Sequence, residues 1–352
     1  MKKVAVDANP AVRKVATGTE TYAREVARRL PAEAPELDFR FYASRPGPLP
    51  GVDLTVLPGR RLWSQARLPM ELWRRPPDLF FAPSHVVPFL TAGRALTVVH
   101  DLAFERYPGI YSPAARAYLR LTTRWAERRC DRLVTVSQAT ARDLTELHGV
   151  DPSRITVVPE AASPPEQPMT PAEARRRTEG LGIDRPYVLH LGRIEARKNQ
   201  ETALAAVRLL PDLLLVCAGP IFDGELAERL AASERCRLLG LVDSEDREAL
   251  YRGAEALVFP SLYEGFGLPI LEAMLRDLPV VTASVSSLPE VGGDAAVYVD
   301  DPLDAEGLAA ALRRALDDGE RLRRLGRERA ATFSWQRTAA GVAGVIRQLL
   351  SG

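Results

Sequence analysis

The stretch Tyr263–Met274 reads YEGFGLPILEAM, with two glycines around a phenylalanine, a proline after them, and Glu264 and Glu272 eight residues apart. Glycine permits tight backbone paths and proline suits the first helical turn, so the stretch is a loop feeding a helix. The apolar run ALVFPS (256–261) stands before it and PVVTAS (279–284) after it. The whole therefore reads as strand, loop, helix, strand. Glu264 falls on the loop. Glu272 falls about one turn inside the helix, and because helical side chains lean toward the N-terminus it points back at that loop. A helix start with free N–H groups, flanked by two carboxylates, is the result.

Working outward, the same alternation fills the chain, as it does in parallel sheets with crossover helices. In the first half the strands are KVAVD, FRFYA, VDLTVL, DLFFAPS, ALTVVHD, RLVTVS and ITVVPE, with helices over Thr19–Leu30, Ser112–Arg129 and Gln138–His148. The proline-rich segment Glu160–Pro171, EAASPPEQPMTP, has no apolar period and reads as a linker. Beyond it come YVLHLGRI, LLLVCAG, RLLGLV, ALVFPS and PVVTAS. The expected architecture is α/β with two doubly wound, Rossmann-like domains, residues 1–165 and 166–352. The last helix, over residues 334–350, is expected to pack back on the first domain. No repeat of 20 to 50 residues is visible.

A chain of 352 residues exceeds what one core usually supports. Charged residues make up 26% and apolar ones 46%, ordinary for a globular enzyme. No apolar run is long enough for a membrane span, and MKKVAVDANP reaches Asp7 too soon for a signal peptide. Cys130, Cys217 and Cys236 are unclustered, which suggests neither a disulfide framework nor a metal site. A cytoplasmic chain is expected. Residues 1–160 carry a net +7 and residues 161–352 a net −6, so the first half suits an anionic partner. Arg116, Arg120, Arg124 and Arg128 recur every four residues on one predicted helix, a stripe suited to lipid phosphates and equally to a solvated face. Only Lys2, Lys3, Lys14 and Lys198 are lysines among 47 basic residues.

In open parallel sheets ligands bind beyond the carboxyl ends of the strands, so strand exits hold the candidates. GRIEARKN (192–199) brings Arg193 and Lys198, one a fork and one a point charge for a diphosphate, with Asn199 placed to cap the next helix. A solvated charged loop is the structural alternative. For Glu272 the alternative is a pair with Arg276 one turn on, which leaves the GFG unexplained. After KVAVD, the segment VATGTETYAREV puts Gly18 and Thr19 at a helix start, where N–H groups meet phosphate or sugar or simply begin a helix. His100 and Asp101 end ALTVVHD, and His85 follows FAPS. His148 and His190 read as structural.

EGFGLPILEAM, GRIEARKN, the segment Ser287–Pro302 (SLPEVGGDAAVYVDDP), VTVSQATARDL and RITVVPE together resemble the retaining glycosyltransferases of family 4, which have the GT-B fold. The resemblance covers nearly the whole chain, and TVVHDLAFERYP is similar to the mannosyl- and rhamnosyltransferase subgroup. It implies two domains facing a central cleft. It further implies that Arg193 and Lys198 neutralise the donor diphosphate, that Glu264 lies near the transferred sugar, and that Gly265, Phe266, Gly267 and Leu268 cradle sugar and phosphate by their backbone. Glu272 would bond the ribose, the backbone of Val242 the base, Gly18 and Thr19 the donor, and His100 the sugar. Asp101 and His85 are the acceptor-side candidates. Two positions depart from the pattern: Glu20 stands where a second glycine is common, and Glu160-Ala161 where Asn-Gly is.

Two carboxylates beside a diphosphate would repel it, so each is expected to hold hydroxyl groups while Arg193 and Lys198 supply counter-charge. The expected activity is transfer of a hexose, mannose from GDP-mannose first, to a hydroxyl of a glycan or lipid-linked acceptor with retention. No metal or other cofactor and no nucleic acid is expected, and peripheral contact with an anionic membrane at its inner face is. The alternatives are a GT-B nucleotide-sugar epimerase and a noncatalytic nucleotide-sugar-binding module; a two-carboxylate hydrolase fits less well, since its pair flanks a bond.

Overall fold

Val4, Ala5 and Val6 of the first strand are wholly buried, as a parallel strand covered on both faces requires. The computed structural model describes residues 1–13, 18–47, 49–59, 62–91, 93–165 and 169–351. Lys14 to Thr17 of the segment before the first helix, and Glu166 to Pro168 of the proline-rich linker, lie outside the described residues.

The chain divides into two units. One comprises Met1–Ala161 and the segment from Phe333 onward; the other is Ala162–Thr332. In the first, seven parallel strands stand in the order β3-β2-β1-β4-β5-β6-β7. They are β1 (Lys2–Asp7), β2 (Leu37–Ala43), β3 (Leu54–Val56), β4 (Leu79–Ala82), β5 (Arg94–Val99), β6 (Arg132–Thr135) and β7 (Ile155–Val157). Phe80, Leu96 and Leu133, one from each of three adjacent strands, are fully buried at its centre.

In the second unit, six parallel strands take the order β10-β9-β8-β11-β12-β13. These are β8 (Tyr187–Leu191), β9 (Leu214–Ala218), β10 (Cys236–Gly240), β11 (Ala256–Phe259), β12 (Val280–Ala283) and β13 (Ala296–Val299). The edge strand β13 is absent from the strands read in the sequence, although its residues AVYV were on view. Four residues after a pair of glycines and a 3₁₀ turn give too short an apolar run to stand out.

Helices form where the sequence signals them. Pro113–Arg129 starts at Ser112, whose hydroxyl accepts from the Ala115 N–H, and Gln138–His148 ends at Gly149 in the left-handed region. The helix Trp335–Ser351 belongs to the first unit. It packs along Gly18–Glu33, Arg347 pairs with Glu36 at 2.7 Å, and the Thr338 hydroxyl donates to the Pro159 carbonyl at 2.8 Å.

Candidate active site

In the second sheet the strand order reverses between β8 and β11, and this switch point is where doubly wound sheets take ligands. The loops leaving these two strands, residues 192–199 and 260–267, carry Arg193, Lys198, Glu264 and Gly265 to Gly267 among the candidate residues. They are stitched together. Asn199 donates from Nδ2 to the carbonyls of Pro260 (3.0 Å) and Pro302 (2.6 Å), and the Leu262 N–H donates to the Arg197 carbonyl at 2.9 Å. Asn199 was expected to cap the next helix with its side chain. It does not: its backbone is left-handed (φ 59°) and its amide is committed to the partner loop.

Lys198 and Glu264 form an ion pair across the two loops. Arg197 joins them, with Nη1 3.3 Å from the other carboxylate oxygen of Glu264 and 2.5 Å from the Tyr263 carbonyl, and Nη2 2.7 Å from Glu195. All four side chains are buried. Burial opposes the charge on Glu264, but Lys198 and Arg197 beside it prevail and hold its carboxyl down to about 2. Burial likewise pulls the Lys198 ammonium below the ordinary lysine value, with Glu264 resisting. The grouping differs from the expected Arg193–Lys198 pair. Arg193 lies half-buried with its guanidinium 4.7 Å over the Phe222 ring, and Arg197, unassigned in the sequence, is the cation that meets Glu264 beside Lys198. The signal was present: three basic groups in one short loop.

The loop around Glu264 is clasped from the exit of β12. Ser286 accepts from the Glu264 N–H at 2.9 Å, while the Ser287 hydroxyl reaches the carbonyls of Glu264 (3.0 Å) and Phe266 (2.8 Å). Gly267 has φ 110° and leads into the helix Leu268–Met274, and a Cβ there would come within 3.0 Å of Leu288.

Glu272 is held by groups the sequence did not suggest. Its Oε2 accepts from the buried Tyr251 hydroxyl at 2.7 Å, and Oε1 lies 3.6 Å from Arg247. Arg276 is buried and turns instead to Glu248, at 2.6 Å, to the backbone carbonyl of Glu272, and over the Tyr251 ring. A side-chain pair between Glu272 and Arg276 is therefore not formed. Val242 lies partly exposed beyond β10, just before Asp243 caps the helix Ser244–Gly253.

In the first unit, Gly18 and Thr19 open a helix and are half-buried. His100, just past β5, has Nδ1 2.9 Å from Glu160 and Nε2 3.0 Å from the Pro83 carbonyl. Asp101 accepts from the Ala103 N–H at 3.0 Å. His85, past β4, is half-buried, and burial followed by the charge of His100 pulls its ring down to about 4. Both departures from the family pattern are buried carboxylates with a basic side chain beside them: Glu160 with His100, and Glu20 with Arg13 at 2.8 Å. His148 lies between Glu127 and Glu105, and His190 sits wholly buried with Nε2 3.1 Å from the Lys198 carbonyl, both in structural settings.

The arginine stripe is largely committed. Arg116 and Arg120 pair with Glu105, and Arg124 donates to the His148 carbonyl at 3.0 Å; Arg128 is exposed. No helix is long and apolar enough to cross a membrane, and no group of three His, Cys, Asp or Glu is arranged to hold a metal ion, both among the described residues.

Comparison with known proteins matches residues 16–163 to the model "Glycosyltransferase Family 4" and residues 172–331 to "Glycosyl transferases group 1". An O-antigen chain mannosyltransferase B from Escherichia coli is 33% identical over 69% of this chain and 67% of its own. An MMP alpha-(1->4)-mannosyltransferase from Mycolicibacterium hassiacum is 34% identical over 72% of this chain and 65% of its own. The matched stretches thus span about two thirds of these relatives. A sucrose-phosphate synthase structure from Thermosynechococcus elongatus superposes with a TM-score of 0.77 at 22% identity, covering 100% of both chains.

Proposed function

The chain belongs to the GT-B glycosyltransferases, Family 4 in its first half and group 1 in its second, and on that premise we propose that it moves mannose from GDP-mannose to a hydroxyl acceptor with retention at the anomeric carbon. The observation that carries the reading is the buried Lys198–Glu264 pair at the switch point between β8 and β11. A carboxylate kept ionised out of water suits a sugar carbon that gains positive character as its diphosphate departs. Lys198, Arg197 and Arg193 supply the counter-charge to the leaving group, so that the step rests on positioning and fixed electrostatics without a metal.

The remaining assignments rest on the resemblance to the family. The backbone of Gly265, Phe266, Gly267 and Leu268 cradles sugar and phosphate, Glu272 bonds the ribose, and Val242 meets the base. Gly18, Thr19 and His100 serve the donor from the first unit, and Asp101 and His85 serve the acceptor, a glycan or lipid-linked hydroxyl. Two mannosyltransferases among the relatives support mannose. A cytoplasmic enzyme in peripheral contact with an anionic membrane is part of the proposal; Arg116, Arg120 and Arg124 keep 32%, 53% and 44% of their side chains exposed, and Arg128 is exposed beside them.

Thermal midpoints measured against GDP, UDP, ADP and dTDP sugars test the donor, because a ligand that binds only the folded state raises the midpoint. GDP-mannose is expected to give the largest rise, and the anomeric coupling of the product is expected to match the donor. A larger rise with another nucleotide sugar, or an inverted product, overturns the corresponding part.

A further inference from the structure

The ring of His100 has both nitrogens against acceptors of the chain itself, Oε1 of Glu160 and the carbonyl oxygen of Pro83. A carbonyl can only accept, and so can an ionised carboxylate, whereas a neutral imidazole has a single N–H to give. Satisfying both oxygens takes two N–H groups, which is the imidazolium. The setting strengthens this pairing. Glu160 is 4% exposed and the His100 side chain 14%. The fully buried Tyr22 ring stands edge-on to His100 at 4.9 Å, with Trp335 behind it at 6.2 Å, so aromatic walls keep water from the pair and its attraction is weakly screened.

The backbone is pinned as well, since the Thr140 hydroxyl donates to the His100 carbonyl at 3.1 Å. The titratable groups facing the ring are Glu160 beyond β7, Asp101 beyond β5, His85 beyond β4 and Tyr22 on the helix Gly18–Glu33. Burial disfavours charge on His100, but Glu160, the Pro83 carbonyl and Asp101 more than offset it and raise the ring above the ordinary histidine value. His85 opposes only weakly, because its own ring is held neutral at working pH.

We propose that Glu160 is a positioning residue that keeps His100 doubly protonated throughout the working pH range, so that His100 offers the substrate a fixed positive charge and no proton to exchange. Three strand exits converge to build this device: the one after β5 carries the ring, and those after β4 and β7 give it the Pro83 carbonyl and the Glu160 carboxylate. The part concerning substrate rests on the reading of His100 as a donor-site group.

The test is nitrogen NMR of histidine-labelled full-length protein, in which only four histidines need assignment. At pH 8 the His100 ring is expected to show two protonated nitrogens in the parent and one in Glu160→Gln, an isostere that removes the charge. In parallel, kcat/KM for donor in Glu160→Gln is expected to fall about tenfold or more at pH 8, with the deficit shrinking toward pH 5.5 as the ring regains its proton. Glu160→Asp, which keeps the carboxylate, is expected to restore much of the alkaline activity. A parent ring that titrates at the ordinary histidine value overturns the proposal even if the variants fold poorly, as does a Glu160→Gln ring still doubly protonated at pH 8. Loss of the imidazolium with unchanged kinetics leaves the holding role standing and overturns instead the reading of His100 at the donor.

Discussion

Lys198 is one of four lysines in a chain that otherwise uses arginine, and its ammonium is buried against Glu264 with Arg197 close by. An ammonium is a compact point charge, whereas a guanidinium is a planar fork that needs more room and a different approach to the carboxylate. Lys198→Arg is therefore expected to lower turnover at least tenfold, equivalent to about 1.4 kcal/mol of transition-state stabilisation, despite conserved charge. Steady-state kinetics decide it, and parental values would remove Lys198 from the chemistry. Asp7, at the end of β1, offers a test of a different kind. Burial raises its carboxyl to about 7, against a hydrogen bond from the Asn9 N–H and the charge of Arg13. The folded state then binds a proton that the unfolded chain releases between the ordinary value of 3.8 and about 7. The stability this gives is complete below that window and is lost as pH rises through it, at about 1.4 kcal/mol per unit. Asp7→Asn keeps the acceptor and never ionises, so its thermal midpoint is expected to equal the parent's at pH 4 and exceed it at pH 8. An equal midpoint at both would mean that Asp7 ionises freely in the fold.

At the scale of elements, the switch point depends on how closely three strand exits approach. Gly219, just past β9, has φ 144°, and a Cβ there would stand 1.9 Å from the Gly192 carbonyl oxygen. Backbone cannot yield as a flexible side chain does. Gly219→Ala is thus expected to cost about 2 kcal/mol or more in stability and to weaken donor binding by displacing residues 192–199, measured by denaturant titration and by the donor Michaelis constant. These exits were legible in the sequence because strands buried on both faces leave unbroken apolar runs, after which polar residues stand out. Gly267 was legible too, since a glycine two residues ahead of a proline marks a tight backbone path into a helix start. What could not be read was partnership. Lys198 and Glu264 are 66 residues apart and His100 and Glu160 are 60 apart, and their meeting follows from strand order, which spacing does not encode. Asn199 misled for a related reason: its side-chain oxygen meets the Thr202 hydroxyl at 2.7 Å and no backbone N–H of the helix it precedes, while its amide nitrogen reaches the Pro260 and Pro302 carbonyls, 61 and 103 residues away in the chain.

At the scale of the molecule, the helix Trp335–Ser351 belongs to the unit that the first 161 residues begin. It buries Trp335, Val342, Ile346 and Leu349 there, each worth about 1.5 to 3 kcal/mol when fully removed from water. A chain ending at Thr332 is expected to lose several kcal/mol from the first unit while the second keeps its stability, and hydrogen exchange resolved by segment would report the two separately. Loss of protection spread equally over both units would contradict that assignment. The return of this helix also fixes an order of events during synthesis. The second unit is continuous in the chain and has its full complement of residues once Thr332 has emerged from the ribosome. The first unit, begun earlier, must wait through the making of the whole second unit with the face of Gly18–Glu33 uncovered, and closes only when the helix Trp335–Ser351 arrives. The half of the enzyme translated first is therefore the half completed last, and for that interval its exposed apolar face is the one a chaperone would find.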